Sequence, residues 1–326
     1  MKPSSGHMKN TLMLSLHIIV GQIGQLTMSV ADNVMVGHVG TDALAAAAIG
    51  NGLFTLIMVT GIGISMAMTP LSAMAMGGGR NKECGTVLRQ GLLLNLLSGM
   101  ILMGATFITA QSIRMLNQPQ AIVEPAIVYM QVLGLSMLPL MIFQSFRQFA
   151  EGVSFLAPAM IITLVANLVN ILVNWVFIFG NLGAPALGLT GAGIATFASR
   201  TFMAVCLGVV IMTAPSLKRF DPSLKYKKID LQMMRQLLGI GIPGSFQYFF
   251  EVSAFAASSV IVGWMGVKEL AAHQIALNLA SISFMACQGG CQSGRILCGS
   301  ALHRTHGPGR HQLYPVQALA SRILHL

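Results

Sequence analysis

The chain has 326 residues, 54% hydrophobic and only 9% charged, with a mean hydropathy of +0.73. Ordinary soluble domains carry ~25% charged residues, so this composition excludes a globule clothed in its own polar surface and makes lipid the solvent. The net charge of +10 does not point to nucleic acid, because the lysines and arginines sit in short loops between apolar stretches, the pattern of membrane topology.

The opening MKPSSGHMKN leads into an apolar segment too long for the core of a cleavable signal peptide. Stretches able to span a bilayer, which takes ~20 residues, recur near 11–38, 44–76, 87–112, 121–146, 154–180, 187–214, 234–263 and 269–287. Helices are expected, since barrel strands would show short alternating segments instead. The fold class is therefore an all-α polytopic membrane protein. Glycine, 35 residues, allows helices to approach closely, and the 23 methionines suit lipid-facing filler or an adaptable surface. Gln22, Gln25, Asn170 and Asn174 interrupt the apolar faces.

With the N-terminus inside, the cytoplasmic segments hold Lys2, Lys9, Arg80, Lys82, Arg89, Arg147, Lys218, Arg219, Lys225, Lys227, Lys228 and Arg235, against Arg114 and Lys268 outside. That bias predicts a cytoplasmic N-terminus. Cys84 is expected in a cytoplasmic loop and Cys206 in a helix, and neither implies a disulfide framework. The segment 215–230, with its charges and two prolines, reads as a solvated basic linker between a six-helix part, 1–214, and a second part, 231–287.

An internal repeat supports two halves. VGHVGTDALAAAAI, 36–49, aligns without gaps on VGWMGVKELAAHQI, 262–275, with seven identical columns that include Gly37/Gly263 and Gly40/Gly266. The same offset pairs His17 with Pro243 and Gln25 with Glu251. Duplicated bundles are typical of secondary transporters, with the substrate site between the repeats.

Three segments carry a resemblance: GQIGQLTMSVADNVMVGHVGTDALAA, 21–46; NLVNILVNWVFIFG with GLTGAGIAT, 167–196; and GIPGSFQYFFEVSAF with ELAAHQIALN, 241–278. Over about residues 10–287 the chain resembles the multidrug and toxic compound extrusion family, in its NorM-like branch. The resemblance implies six-helix lobes around a central cavity, with residues 231–287 as the first two helices of a pseudo-symmetric C-terminal lobe. It also implies a monomeric, multi-pass protein of the bacterial inner membrane that exports drugs or metabolites in exchange for sodium ions or protons. His17 departs from the family, whose first helix usually carries a bending proline there.

Of nine acidic residues, Asp32 and Glu251 lie within apolar helices, where an ionisable group costs ~2.5–3.5 kcal/mol on insertion scales and is a functional candidate by default. Asn170 and Asn174 stand four apart on one helical face, and Asn167 extends their stripe. They could serve as interhelical glue. The resemblance instead implies that Asp32, Asn170, Asn174 and Thr196 gather as a cation site in the N-terminal lobe, and that Glu251 belongs to a second cation or proton site. Oxygen donors suit sodium, and the same carboxylate could take a proton in competition. Arg200 is expected to be the only strong cation at membrane depth before the tail, paired with a carboxylate, supporting the cavity or snorkelling.

From Gln288 the text changes: 288–326 has no acidic residue, four arginines and four of the eight histidines. A shift of reading frame near 286–290, leaving a disordered basic tail, is the expectation. Cys287, Cys291, Cys298, His303, His306 and His311 do not match a zinc-finger spacing. No nucleophile–base pair or metal cluster suggests an enzyme, and no cofactor is expected beyond the coupling ion. Two alternatives stay open, a lipid-linked oligosaccharide flippase and an inactive transporter fragment. A flippase would line its cavity with several basic residues, whereas Arg200 stands nearly alone.

Overall fold

A computed structural model describes residues 20, 24, 27, 28, 30–116, 119–222 and 229–265. Among them no strand occurs, and the longer elements are all α-helices. They are α1 over 30–37, α2 Thr41–Ser65, α3 Met68–Gly77, α4 Asn81–Ser112, α5 Gln120–Leu135, α6 Met137–Gly152, α7 Ala157–Phe179, α8 Leu189–Thr213 and α9 Leu231–Met265. Among the described residues, five rods are long and apolar enough to cross a bilayer: Thr41–Gly77, Asn81–Met115, Gln120–Gly152, Ala157–Phe179 and Leu189–Thr213. The all-helical membrane fold expected from composition is what forms. The expected span at 269–287, most of the repeat copy at 262–275, His17, Gln22, Gln25 and the tail at 288–326 lie outside the described residues.

Two expected single spans, 44–76 and 121–146, are each a pair of helices. Pro70, third in α3, has no N–H for the carbonyl of Met66 and crowds it, so α2 yields to α3 around Met66 and Ala67. Pro139, third in α6, does the same to Leu135. The break falls at Ser136, whose hydroxyl donates to the carbonyl of Leu133 at 2.6 Å.

α6 then runs on to Gly152, beyond the expected limit at 146. It carries Arg147 and Glu151, four apart and both buried, with Arg147 Nε donating to Glu151 Oε1 at 2.9 Å. Arg147, expected in a cytoplasmic segment, thus lies inside the protein in the last turns of α6, paired rather than solvated. Mutual neutralisation one turn apart lets a charged pair ride inside the bundle. Cys84 also differs from expectation, being buried in the first turn of α4 rather than placed in a loop.

Among the described residues, packing divides into two apolar clusters. One gathers Ala75, Leu88, Phe149, Ile211, Phe220 and Leu237 near the end that carries Arg80, Lys82, Lys218, Arg219 and Arg235, hereafter the basic end. The other gathers Val36, Ala47, Ile113, Met130, Ile178 and Leu189 near the opposite end. There Arg114 pairs with Glu124 at 3.2 Å. The linker is not wholly solvated. Its first six residues form the 3-10 turn Pro215–Phe220, which buries Leu217 and Phe220. Arg89 then donates to the Asp221 carbonyl at 3.2 Å. Residues 223–228 of the linker lie outside the described residues, and Asp230 opens α9 by accepting from the N–H groups of Gln232 and Met233 at 3.0 Å each.

α7 ends where Gly180 turns left-handed (φ 75, ψ 30), a conformation that side chains with a Cβ enter only at a cost. The chain then doubles back, with Leu187 N–H donating to Phe177 O at 2.8 Å. α8 therefore packs along the whole of α7, and the pair faces α1 and α5. This arrangement positions the site described next.

Candidate functional site

Asn167, Asn170 and Asn174 project from one face of α7 and all three are buried. The helix that supplies them is apolar on its other faces, which are exposed at Leu168 and Leu172. Across from the stripe stands α1 with half-buried Asp32. Asn174 Nδ2 donates to Asp32 Oδ1 at 2.5 Å and to Asn170 Oδ1 at 3.1 Å. Thr196 Oγ1, on α8, lies 3.4 Å from Asp32 Oδ2 and 3.0 Å from the carbonyl of Ala192. One hydroxyl proton serves only one acceptor at a time, so the Thr196 oxygen can also turn its lone pairs toward the carboxylate side.

Four residues expected to gather therefore do: Asp32, Asn170, Asn174 and Thr196. Asn167 does something different. Its Nδ2 donates to the carbonyl of Gly24 at 2.7 Å, tying the first helix to α7 two turns from Asp32. Among the described residues, Asn174 Oδ1 and Asn170 Nδ2 have no hydrogen-bond partner although both are buried. A buried acceptor left bare is costly, and Asn174 Oδ1 sits on the same amide that touches the carboxylate. Carboxylate, amide and hydroxyl oxygens form a hard donor set, suited to a hard cation or a proton rather than to a soft metal. No cluster of three His, Cys, Asp or Glu occurs among the described residues.

Arg200 stands one helical turn after Thr196. Its guanidinium donates to Ser136 Oγ at 2.6 Å, approaches Met58 Sδ at 3.8 Å and lies 5.1 Å from the centroid of the Phe54 ring. Among the described residues it forms no ion pair. The hydroxyl it grips is the one at the α5–α6 break, so Pro139 and Arg200 act on the same point. Glu251 is half-buried on α9, which packs chiefly on α2 and α4. No hydrogen bond or ion pair reaches it among the described residues.

Two polar contacts inside the bundle escaped the reading of the sequence. Tyr129 Oη donates to Asn51 Oδ1 at 3.1 Å between α5 and α2, and no spacing rule announces a contact between distant helices. The Arg147–Glu151 pair did have a signal, the spacing of four within a helix that the apolar count ended too early.

The sequence profile of the MatE family matches residues 18–176 and 243–306, more than half of the chain. The chain belongs to the MatE family. The matched blocks include Asp32, Asn170, Asn174 and Glu251, while Thr196 and Arg200 fall between them. The multidrug resistance protein MdtK of Yersinia pestis is 32% identical over 278 residues, covering 85% of this chain and 61% of that protein. The multidrug resistance protein NorM of Aliivibrio fischeri is 32% identical over 272 residues, covering 83% and 59%. The chain thus spans about three fifths of the length of these MatE relatives. A solved structure described as the outward-facing conformation of a multidrug resistance MATE transporter of the MOP superfamily superposes with a TM-score of 0.79. At 21% identity, covering 93% of this chain and 68% of that one, it shows a shared fold.

Proposed function

We propose that this MatE chain serves ion-driven export of small apolar or cationic molecules, with Asp32 as the group that takes the coupling ion, Na+ or H+. The observation that carries the reading is the contact of Asp32 with Asn174 and Thr196, with Asn170 accepting from the same Asn174 amide, beside an amide oxygen that lacks a donor. The relatives named for multidrug resistance support the substrate class. In the arrangement described, an amide N–H stands against the carboxylate. An arriving sodium ion or proton competes for that carboxylate and loosens the tie between α1 and α7. Exchange then follows if ion and exported molecule bind the two states unequally.

Arg200 holds the break between α5 and α6 and places a fixed positive charge one turn from Thr196. Glu251 serves as a second acceptor for a cation or proton. The basic end faces the cytoplasm of a bacterial inner membrane, in keeping with the distribution of lysine and arginine.

The test uses cells expressing the chain and a fluorescent cationic dye, with a sodium or proton gradient imposed. Asp32→Asn, which keeps the shape but not the charge, is expected to reduce gradient-driven efflux to background. It should also abolish any rise in melting temperature on adding sodium to the purified protein. Efflux by Asp32→Asn equal to that of the parent chain, under both gradients, removes Asp32 from the coupling step.

A further inference from the structure

α2 and α9 cross at a point made of backbone. A Cβ on Gly63 would fall on the Cα of Ser245, 2.9 Å from its nitrogen and 3.1 Å from the carbonyl oxygen of Gly244. Ser245 Oγ donates to the carbonyl of Thr60 at 2.9 Å. From the α9 side, a Cβ on Gly241 would lie 2.9 Å from the carbonyl oxygen of Ile64. No side chain fits between these helices at the crossing.

The closest contact lies in one half of each helix. Along α9 the buried positions are Met233, Leu237, Gly241 and Ser245, one turn apart, whereas 246–255 are half-buried or exposed. Phe246, Phe250 and Phe255 are exposed. Along α2 the same face that carries Thr60 continues as Leu44, Ala48 and Gly52, all exposed. A Cβ on Gly52 would meet nothing within 4 Å. Gly63 lies two residues before the end of α2, which gives way to α3 and so to the basic end, and Ser245 lies fourteen residues after Leu231, ~21 Å along α9 from that end. The helices are therefore pressed together toward the basic side, and α2 is less covered toward the other end.

We propose that the Gly63–Ser245 crossing is the closure of the basic side, and that the absence of a side chain at Gly63 is what lets it shut. It rests on the alternating-access reading above, and it assigns one closing contact to named residues. The closure is a backbone clasp tied by the Ser245 hydroxyl, not a plug of bulky side chains. A larger residue at Gly63 wedges α9 away and biases the protein toward the state open at the basic end.

The test reads accessibility rather than transport, so its failure is distinct from failure of ion coupling. Vesicles holding the full chain are treated with a membrane-impermeant maleimide at the basic face, and labelling is located by mass spectrometry. Leu237→Cys reports opening of the basic side and Ala48→Cys, treated from the opposite face, reports the other. With a minor state at ~0.1–10%, making it dominant should raise Leu237→Cys labelling at least about tenfold in Gly63→Leu and lower that of Ala48→Cys. Gly52→Leu, on the same face of α2 but in open space, should change neither. If Gly63→Leu does not insert, Gly63→Ala is read instead, since its one methyl already meets Ser245. Unchanged labelling at Leu237→Cys in a folded Gly63 variant, or an equal change in Gly52→Leu, overturns the proposal.

Discussion

Buried polar side chains in this protein differ in what they ask of their surroundings. Arg147 and Glu151 answer each other within one turn of α6. Removing one charge from a buried pair leaves the other uncompensated and costs ~3–5 kcal/mol, whereas replacing both with apolar residues of similar size is often neutral. Glu151→Gln should therefore lower the melting temperature of the purified protein clearly, and the double change Arg147→Met with Glu151→Leu should recover most of the loss. A double variant no more stable than the single one would show that other partners of Glu151 dominate. Asp32 is answered otherwise, by amides and a hydroxyl from two helices. That difference, neutral partners for a carboxylate and a bare acceptor beside it, separates a candidate ion site from a structural pair.

At the scale of the element, prolines and caps decide where rods bend and begin. Pro139 breaks the α5–α6 rod at Ser136, and Arg200 fastens on the hydroxyl exposed there. Asp230 caps α9, and replacing such a cap with alanine costs ~0.5–2 kcal/mol. Asp230→Ala is expected to speed hydrogen exchange in the first turn of α9 while leaving α7 and α8 unchanged. Equal exchange in that first turn would mean that burial of Met233 and Leu237 alone holds the start of the helix. The two split rods also show a limit of hydropathy: an apolar run gives the length of a span, but a proline three residues into its second piece costs little hydropathy and still redirects the axis.

For the whole molecule, the separation of charge predicts orientation. The basic end carries Arg80, Lys82, Lys218, Arg219 and Arg235, and the other end Arg114 with Glu124. In spheroplasts an impermeant maleimide should label Met115→Cys, whose parent side chain is 83% exposed, and should reach Lys82→Cys only after the membrane is broken. The reverse pattern would invert the topology and with it the side assigned to the Gly63–Ser245 closure. The arrangement of α2 and α9 is a property of this scale alone, since neither helix carries a bulky residue that marks the crossing.

Membrane residence and helical class were legible in the sequence, because lipid imposes them on composition and run length without reference to any partner. The grouping of Asn170 with Asn174 was also legible, since a helix places residues four apart on one face whatever surrounds it. The sequence could nominate Asp32 as an expensive charge, and resemblance could suggest its companions. Their contact depends on the doubling back at Gly180 that lays α8 against α7 and brings both to α1. Arg200 offered several roles until the bend at Ser136 supplied its partner. Arg147, assigned to a cytoplasmic segment by its charge, proved to be buried because α6 continued to an acid one turn further on. Local periodicity is written in neighbouring residues, whereas which faces meet, and whether a glycine meets a backbone or open space, is decided only when separate helices pack.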